Sequence, residues 1–199
     1  MRPIILLIIT SLFICTLVAC VDIKTTKQNI AIYDFGLSGS FNSSQQITSK
    51  LLLETPVAEV SLNQNKIRYR LNYQNPSRVF FYTESHWAAT PIELLSSKLS
   101  KMINLTQTPK ICSLKLKIEA FDHVFQTTTA SEGIVQLSAL VVERKTKKII
   151  SSQNFTESAL SLTPNAQGGT TAISQAVESS LRKVIDWGNM IADNSERCQ

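Results

Sequence analysis

Two stretches of this chain alternate between apolar and polar residues, and that constrains the fold more than any other feature. In "KIRYRLNY" (66–73), Ile67, Tyr69, Leu71 and Tyr73 point one way, while Arg68, Arg70 and Asn72 point the other. In "ICSLKLKIEAFDHVF" (111–125), Leu114, Leu116, Ile118 and Ala120 share a face with Cys112, and Lys115, Lys117 and Glu119 take the opposite one. A period of two is the signature of a strand buried on one face only. Such strands need a sheet with something covering one side, which excludes an all-helical bundle.

Other strands fit around these two. "NIAIYDFG" (29–36) reads as a short first strand stopped by Gly36, and the polar stretch 37–50 reads as a loop. "LLLETPVAEV" (51–60) begins as an apolar strand and meets Pro56. Asn75-Pro76-Ser77 is a turn signal, and it makes "RVFFYTE" (78–84) the hairpin partner of 66–73. "EGIVQLSALVVER" (132–144) is apolar on both faces in its second half, as a strand in mid-sheet would be. Lys145-Thr146-Lys147 then turns the chain into "KIISSQNFTES" (148–158), and the strands from 111 onward predict an antiparallel meander.

Two segments carry helical periodicity instead. "TPIELLSSKLSKMI" (90–103) opens with Thr90 as N-cap, Pro91 at the first helical position and Glu93 completing a capping box. Ile92, Leu95, Leu99 and Met102 make its apolar stripe. "LTPNAQGGTT" (162–171) reads as a loop, and a second helix follows over 171–188, with Ile173, Val177, Leu181 and Val184 in line and Gly188 as its stop. The expected fold is therefore α/β: one domain, with a mixed, largely antiparallel sheet packed by two main helices.

The front of the chain says where such a domain is sent. After Met1 and Arg2, residues 3–19 are almost wholly apolar. A charged start, an apolar run and small residues at its end describe a secretory signal. A spanning helix needs about 20 apolar residues, and Asp22 and Lys24 arrive too early for one. Leu17-Val18-Ala19-Cys20 resembles a bacterial lipobox, in which the Cys thiol receives diacylglycerol and cleavage falls just before it. The bland alternative makes Cys20 one more apolar residue. On the lipobox reading, residues 1–19 are the lipoprotein signal peptide, 20–29 are the lipidated Cys20 and a short tether, and 30–199 form the domain. Several acyl chains are needed because one binds a membrane only marginally. By the same resemblance, Val21 after the cysteine favours the outer membrane, although Asp22 one residue later is read as a retention signal in some bacteria.

Charge and cysteine count narrow the function. The 20 Lys+Arg against 15 Asp+Glu are scattered without a basic block, so nucleic acid is not an inferred partner. Of four cysteines, Cys15 leaves with the signal and Cys20 is spent on lipid, which leaves Cys112 and Cys198. In an oxidising compartment an even pair predicts a disulfide. The alternative is two free thiols, with Cys112 buried as a small hydrophobe.

The chain carries few signs of chemistry. His86 and His123 lie on different segments, no Cys/His spacing suits zinc, and no nucleophile elbow or phosphate loop appears. Gly168-Gly169-Thr170 could offer N–H groups to an anion, but the pair reads more simply as the approach to a helix. Asp122 and His123 are neighbours on a strand and so face opposite ways. The expectation is a protein that is not an enzyme, with no catalytic residues, no metal and no cofactor beyond the covalent lipid at Cys20. Trp87, between a strand and a capped helix, reads either as the packing of that corner or as an exposed aromatic anchor for a partner.

In order, the lipobox, "YDFGL", "LLLETP", "IRYR", "RVFFYTESHWAATPIELLSSKL", "LKLKIEAFDHVF", "LVVERKTKKIISSQNF" and the closing "VIDWG" span nearly the whole mature chain. Their order and spacing resemble the auxiliary lipoproteins of ABC-type and MCE lipid-transport systems, the paraquat-inducible protein C type. That resemblance implies an outer-membrane lipoprotein facing the periplasm, an MCE-domain protein of an inner-membrane complex as partner, homo-oligomeric ring-like assembly, and a role in moving phospholipid or another hydrophobic cargo. The family defines no catalytic residues to carry over. Arg68, Arg70, Arg78 and Trp87 are the expected partner-contact residues. The alternatives are a lipoprotein that activates a cell-wall synthase, for which the tether is short, a structural envelope lipoprotein, and an enzyme acting on envelope lipids.

Overall fold

The computed structural model describes residues 29–36, 46–104 and 110–199. The signal segment, Cys20 and the tether up to residue 28 lie outside them, as does most of the expected loop 37–50. The first half of the chain contributes β1 (Ala31–Tyr33), β2 (Ile47–Thr48), β3 (Leu52–Leu53), β4 (Val57–Ala58), β5 (Lys66–Leu71), β6 (Phe80–Trp87) and α1 (Pro91–Met102). β7 (Ile103–Asn104), β8 (Cys112–Phe125), β9 (Ser131–Glu143), β10 (Ile149–Leu160) and α2 (Ala166–Asn194) complete it.

One 14-residue strand organises the sheet. β8 pairs antiparallel with β9 along one side, and β9 with β10, which is the expected meander. On its other side, β3, β4 and β5 lie parallel to β8 one after another, at Ser113–Leu114, Lys117–Ile118 and Asp122–Phe125. Pro56 separates β3 from β4, because proline cannot donate to the ladder. β6 is the antiparallel partner of β5, and β1 closes that edge parallel to β6. The result is a mixed α/β domain with an open, largely antiparallel sheet and two main helices.

Both helices join a single core on one face. Ile173, Val177, Leu181 and Val184 of α2 are fully buried over β8, β9 and β10. Leu95, Leu99 and Met102 of α1 close the core beside Trp87. Each buried side chain of this size contributes about 1.5–3 kcal/mol over an exposed one. The capping box of α1 forms as its sequence predicts: the Glu93 carboxylate accepts from the Thr90 N–H at 2.8 Å, and Thr90 Oγ1 accepts from the Glu93 N–H at 3.4 Å. Lys98 of α1, almost buried, reaches Glu178 of α2 at 2.9 Å and ties the two helices together.

Three departures from the expected pattern have physical causes. The stretch 37–50 is not loop throughout: Ile47–Thr48 pairs with Ile103–Asn104, because Ile47 packs on the core. α2 begins at Ala166 rather than residue 171 and runs through Gly188 to Asn194. Asn165 caps it by accepting from the Gly168 N–H at 3.0 Å. The helix uses its glycines for close approach. A Cβ on Gly169 would fall 2.3 Å from Nδ1 of His123, and one on Gly133 of β9 would fall 2.3 Å from the backbone N of Ile173. That packing outweighs the roughly 1 kcal/mol each helical glycine costs. Finally, a bulge between Ile118 and Ala120 shifts the phase of β8. Ala120 therefore leaves the core face, and Phe121, 1% exposed, takes its place against Trp87 and Phe35.

Candidate functional site: the helix-free face and its arginine pair

Among the described residues no helix covers the second face of the sheet, and the alternation of β5, β8, β9 and β10 decides what appears there. Parallel pairing sets Arg68 opposite Asp122 and Arg70 opposite Val124. Both guanidinium groups turn onto the one carboxylate. Arg70 Nε donates to Asp122 Oδ2 at 2.6 Å, and Arg68 Nη2 donates to the same oxygen at 3.3 Å. Arg68 Nε lies 2.8 Å from Oδ1, close enough for an ion pair though misaligned for a hydrogen bond. Arg70 also donates to the carbonyl of Pro76 at 3.1 Å, which holds the turn after β5. Asp122 and Arg68 are buried, while Arg70 is partly exposed.

Further along this face the charges pair off. Lys117 Nζ lies between Glu119 at 3.0 Å and Glu59 at 3.2 Å, and Lys115 meets Glu54 at 3.4 Å. The Glu119 carboxyl is held below its ordinary range by hydrogen bonds from Lys117 and then Ser138. A hydrogen bond from Ser113 at 2.6 Å does the same for Glu54. Beyond them β9 and β10 present Gln136, Ser138, Asn154, Thr156 and Ser158. Ile134 and Leu140 lie among them, in register with Asp122 and Lys115; the charges of the face are thus internally neutralised, and it is not a basic patch.

These placements correct part of the expected contact surface. Trp87 is 1% exposed and sits edge-on to Phe35 and Phe121, so it packs the strand–helix corner. Arg68 is 7% exposed and committed to Asp122. Neither can be the first residue a partner meets. Arg70 keeps a partly open edge, and Arg78 alone of the four is exposed, with its guanidinium carbon 4.6 Å from the centre of the Phe80 ring. The structure therefore does not gather the four into one patch. Asp122, which joins two of them, was legible only as a neighbour of His123; no sequence signal aligned it with β5.

On the helix side, His123 is fully buried and hydrogen-bonded through Nδ1 to the Tyr82 hydroxyl at 2.8 Å. Its Nε2 has no hydrogen-bond partner. Burial pushes its pKa down to about 4 and raises that of the Tyr82 phenol. Tyr69, Phe80 and Phe125 complete an aromatic cluster around the pair. The ring sits under Gly169, so it fills the space beneath α2 rather than lining an opening.

Cys112 and Cys198 are joined by a disulfide, with Cα atoms 5.2 Å apart and a sequence separation of 86. It fastens the turn after α2 to the start of the central strand. An open hollow of about 410 Å³ lies between the end of β1 and α1, lined by Asp34, Phe35, Glu93, Lys98 and Lys101 among others. No group of three His, Cys, Asp or Glu among the described residues could hold a metal. No helix among them is long and apolar enough to cross a membrane.

These features define an α/β domain with a helix-covered core and one open polar sheet face. Among solved structures, a Xanthomonas campestris protein described as DUF330 has this fold, with a TM-score of 0.67 and 17% identity over 82% of this chain and 98% of its own. A second, uncharacterised protein matches with a TM-score of 0.58 and 9% identity over 82% of this chain and 99% of its own. Lipoprotein GNA1162 of Neisseria meningitidis aligns at 13% identity over 68% of this chain and 97% of its own, but its TM-score of 0.29 is too low to imply a common fold. No protein-family model and no curated protein matches the sequence.

Proposed function

We propose that this chain is an outer-membrane lipoprotein, anchored through Cys20 and facing the periplasm, that serves as a non-enzymatic docking component for an MCE-domain protein of an inner-membrane transport complex. It would assist the movement of phospholipid or another hydrophobic cargo between the two membranes. The observation that carries the reading is Leu17-Val18-Ala19-Cys20 at the end of an apolar run, followed by the ordered motifs of a single domain. The Cys112–Cys198 disulfide supports export, because such bonds persist in oxidising compartments. The surface offered to a partner is the open polar face together with Arg78, since Trp87 and Arg68 are buried.

Affinity capture from detergent-solubilised envelope tests the proposal, with the chain tagged at its C-terminus and a Cys20→Ala control. Co-purification of an MCE-domain protein with the lipidated form, lost or reduced in the control, is the expected result. A cell-wall synthase in its place would move the protein to the other envelope class, and an empty capture would remove the transport reading. Mass spectrometry of the N-terminal peptide checks the anchor separately: an unmodified Cys20 in the mature protein would end the lipoprotein assignment.

A further inference from the structure

The two edges of the sheet differ. β1 offers three residues, whereas β10 is a 12-residue edge strand. No described residue pairs with its outer side. The ladder to β9 shows which backbone groups are left over. At one end the Ser161 N–H donates to the Ser131 carbonyl at 2.9 Å, and at the other the Glu143 N–H donates to Lys148 at 2.9 Å. Antiparallel pairing alternates residue by residue. With the register Leu160↔Glu132 through Ser151↔Val141, the odd-numbered residues 151–159 therefore bond to β9. Ser152, Asn154, Thr156, Ser158 and Leu160 turn their N–H and C=O groups outward.

Exposed edges are usually blunted by lysine or proline along the strand, by a mid-strand bulge or by an unpaired inward charge, because unpaired backbone groups recruit other strands; the bulge of β10 lies at its first residues, between Ile149 and Ser151, and leaves 151–160 regular. β10 contains no Lys, Arg or Pro. Its single charge, Glu157, faces α2, where it accepts from Lys183 at 2.6 Å and Ser179 at 2.9 Å. The strand is also nearly self-complementary: it has apolar residues at both ends, and between them its outward residues Ser152, Asn154, Thr156 and Ser158 are all polar and uncharged. Leu160 is 82% exposed and Ile149 is 57% exposed.

We propose that β10 is a homotypic seam: two copies of this chain pair antiparallel through their β10 edges about a two-fold axis at Phe155. Both members of a bonded pair must be even-numbered, which allows two-folds at several residues, and the register centred on Phe155 is the one among them that brings Leu160 to the Ile149–Ile150 end of the other strand. It places Asn154 opposite Thr156 of the other copy and Ser152 opposite Ser158. Each exposed Leu160 then lies beside the Ile149–Ile150 end of the other strand, so both apolar ends are covered at once. No like charges meet. A second copy fits better than an unrelated strand, because the exposed leucine at one end and the exposed isoleucine at the other complement each other only under a two-fold. The seam does not rest on the transport reading. A monomer that still captured an MCE protein would refute the seam alone.

Sedimentation equilibrium of the full chain in detergent tests it, with Asn154→Pro and Thr156→Lys as variants. The Asn154 N–H points away from β9, so proline removes an outward donor and leaves the ladder intact. Lysine at 156 adds a charge on the exposed face at the seam. The unaltered chain should self-associate, and each variant should weaken association at least tenfold while keeping its thermal midpoint within a few degrees. If Asn154→Pro fails to fold, Thr156→Lys decides the matter alone. Register is read by mixing Asn154→Cys with Thr156→Cys, which should yield a 154–156 disulfide between copies, mapped by peptide mass, in excess of like pairs. A monomeric unaltered chain, association unchanged in a folded Thr156→Lys variant, or no excess of the mixed disulfide would overturn the proposal.

Discussion

The arginine pair offers a sharp test of what the open face is for. Asp122 is buried and holds two guanidinium groups, Arg68 almost buried and Arg70 partly exposed. Replacing Asp122 with Asn removes the only carboxylate those contacts share and leaves two like charges at one site, one of them unable to reach water. Breaking a buried pair from one side costs about 3–5 kcal/mol. For a domain of this size that lowers the thermal midpoint by roughly 2–4 °C for each kcal/mol, hence by about 6–20 °C. Arg68→Met is a different perturbation. Asp122 keeps Arg70 at 2.6 Å, and the methionine fills most of the vacated space. The expected cost is about 1–2 kcal/mol, within what a tolerated core replacement costs. The double variant leaves only Arg70, which can turn toward solvent, so it should be more stable than the sum of the single changes by at least about 1 kcal/mol. Urea titrations of the four proteins measure this directly. If Arg68→Met cost as much as Asp122→Asn, or if the two effects simply added, the view of Asp122 as the anchor of the pair would be wrong. Partner capture by a folded Arg68→Met protein should be unchanged, while Arg78→Glu should reduce it.

Three other outcomes follow from the helix side and the disulfide. Gly169→Ala would drive a methyl group to 2.3 Å from the buried His123 ring, and since the helix gains only about 1 kcal/mol from alanine, a net loss of about 1–3 kcal/mol is expected on thermal unfolding. His123 has a folded pKa of about 4, below its unfolded value, so the unfolded chain binds the extra proton; stability is full above about pH 6.5 and falls as pH drops toward 4. Urea midpoints should therefore report a loss of about 1–2 kcal/mol between pH 7 and pH 5 that is absent from His123→Gln. Cys198→Ser, or reduction, opens a closed loop with an 86-residue separation, and the chain-entropy estimate is about 4–5 kcal/mol; a midpoint shift below a few degrees would show that the turn after α2 is held by packing instead.

Much of the framework was legible because it is written in local periods. The alternation of 66–71 and 112–118, the meander of β8 to β10, and the capping box of α1 each depend on residues a few positions apart. So did the apolar stripe of α2 from Ile173 to Val184. Cysteine counting singled out Cys112 and Cys198 because only two remain once the front of the chain is set aside. The start of α2 was misread because glycine is a poor helix former in isolation, whereas here Gly169 is the residue that lets the helix reach His123.

Tertiary structure alone decided the rest. Nothing local aligns Arg68 with Asp122, 54 residues away; the parallel pairing of β5 with β8 does. The bulge after Ile118 put Phe121 and His123 on the helix side, and it was invisible to a strict period of two. Trp87 went inside because its strand, α1 and Phe121 converge on one corner. Which edge of the sheet stays open likewise depends on strand order, which no local pattern contains. The sequence by itself determined most of the strands and the two helical stripes, because propensity, periodicity and capping are short-range properties. Which arginines are buried, and which strand is left unpaired, were settled only when distant segments met.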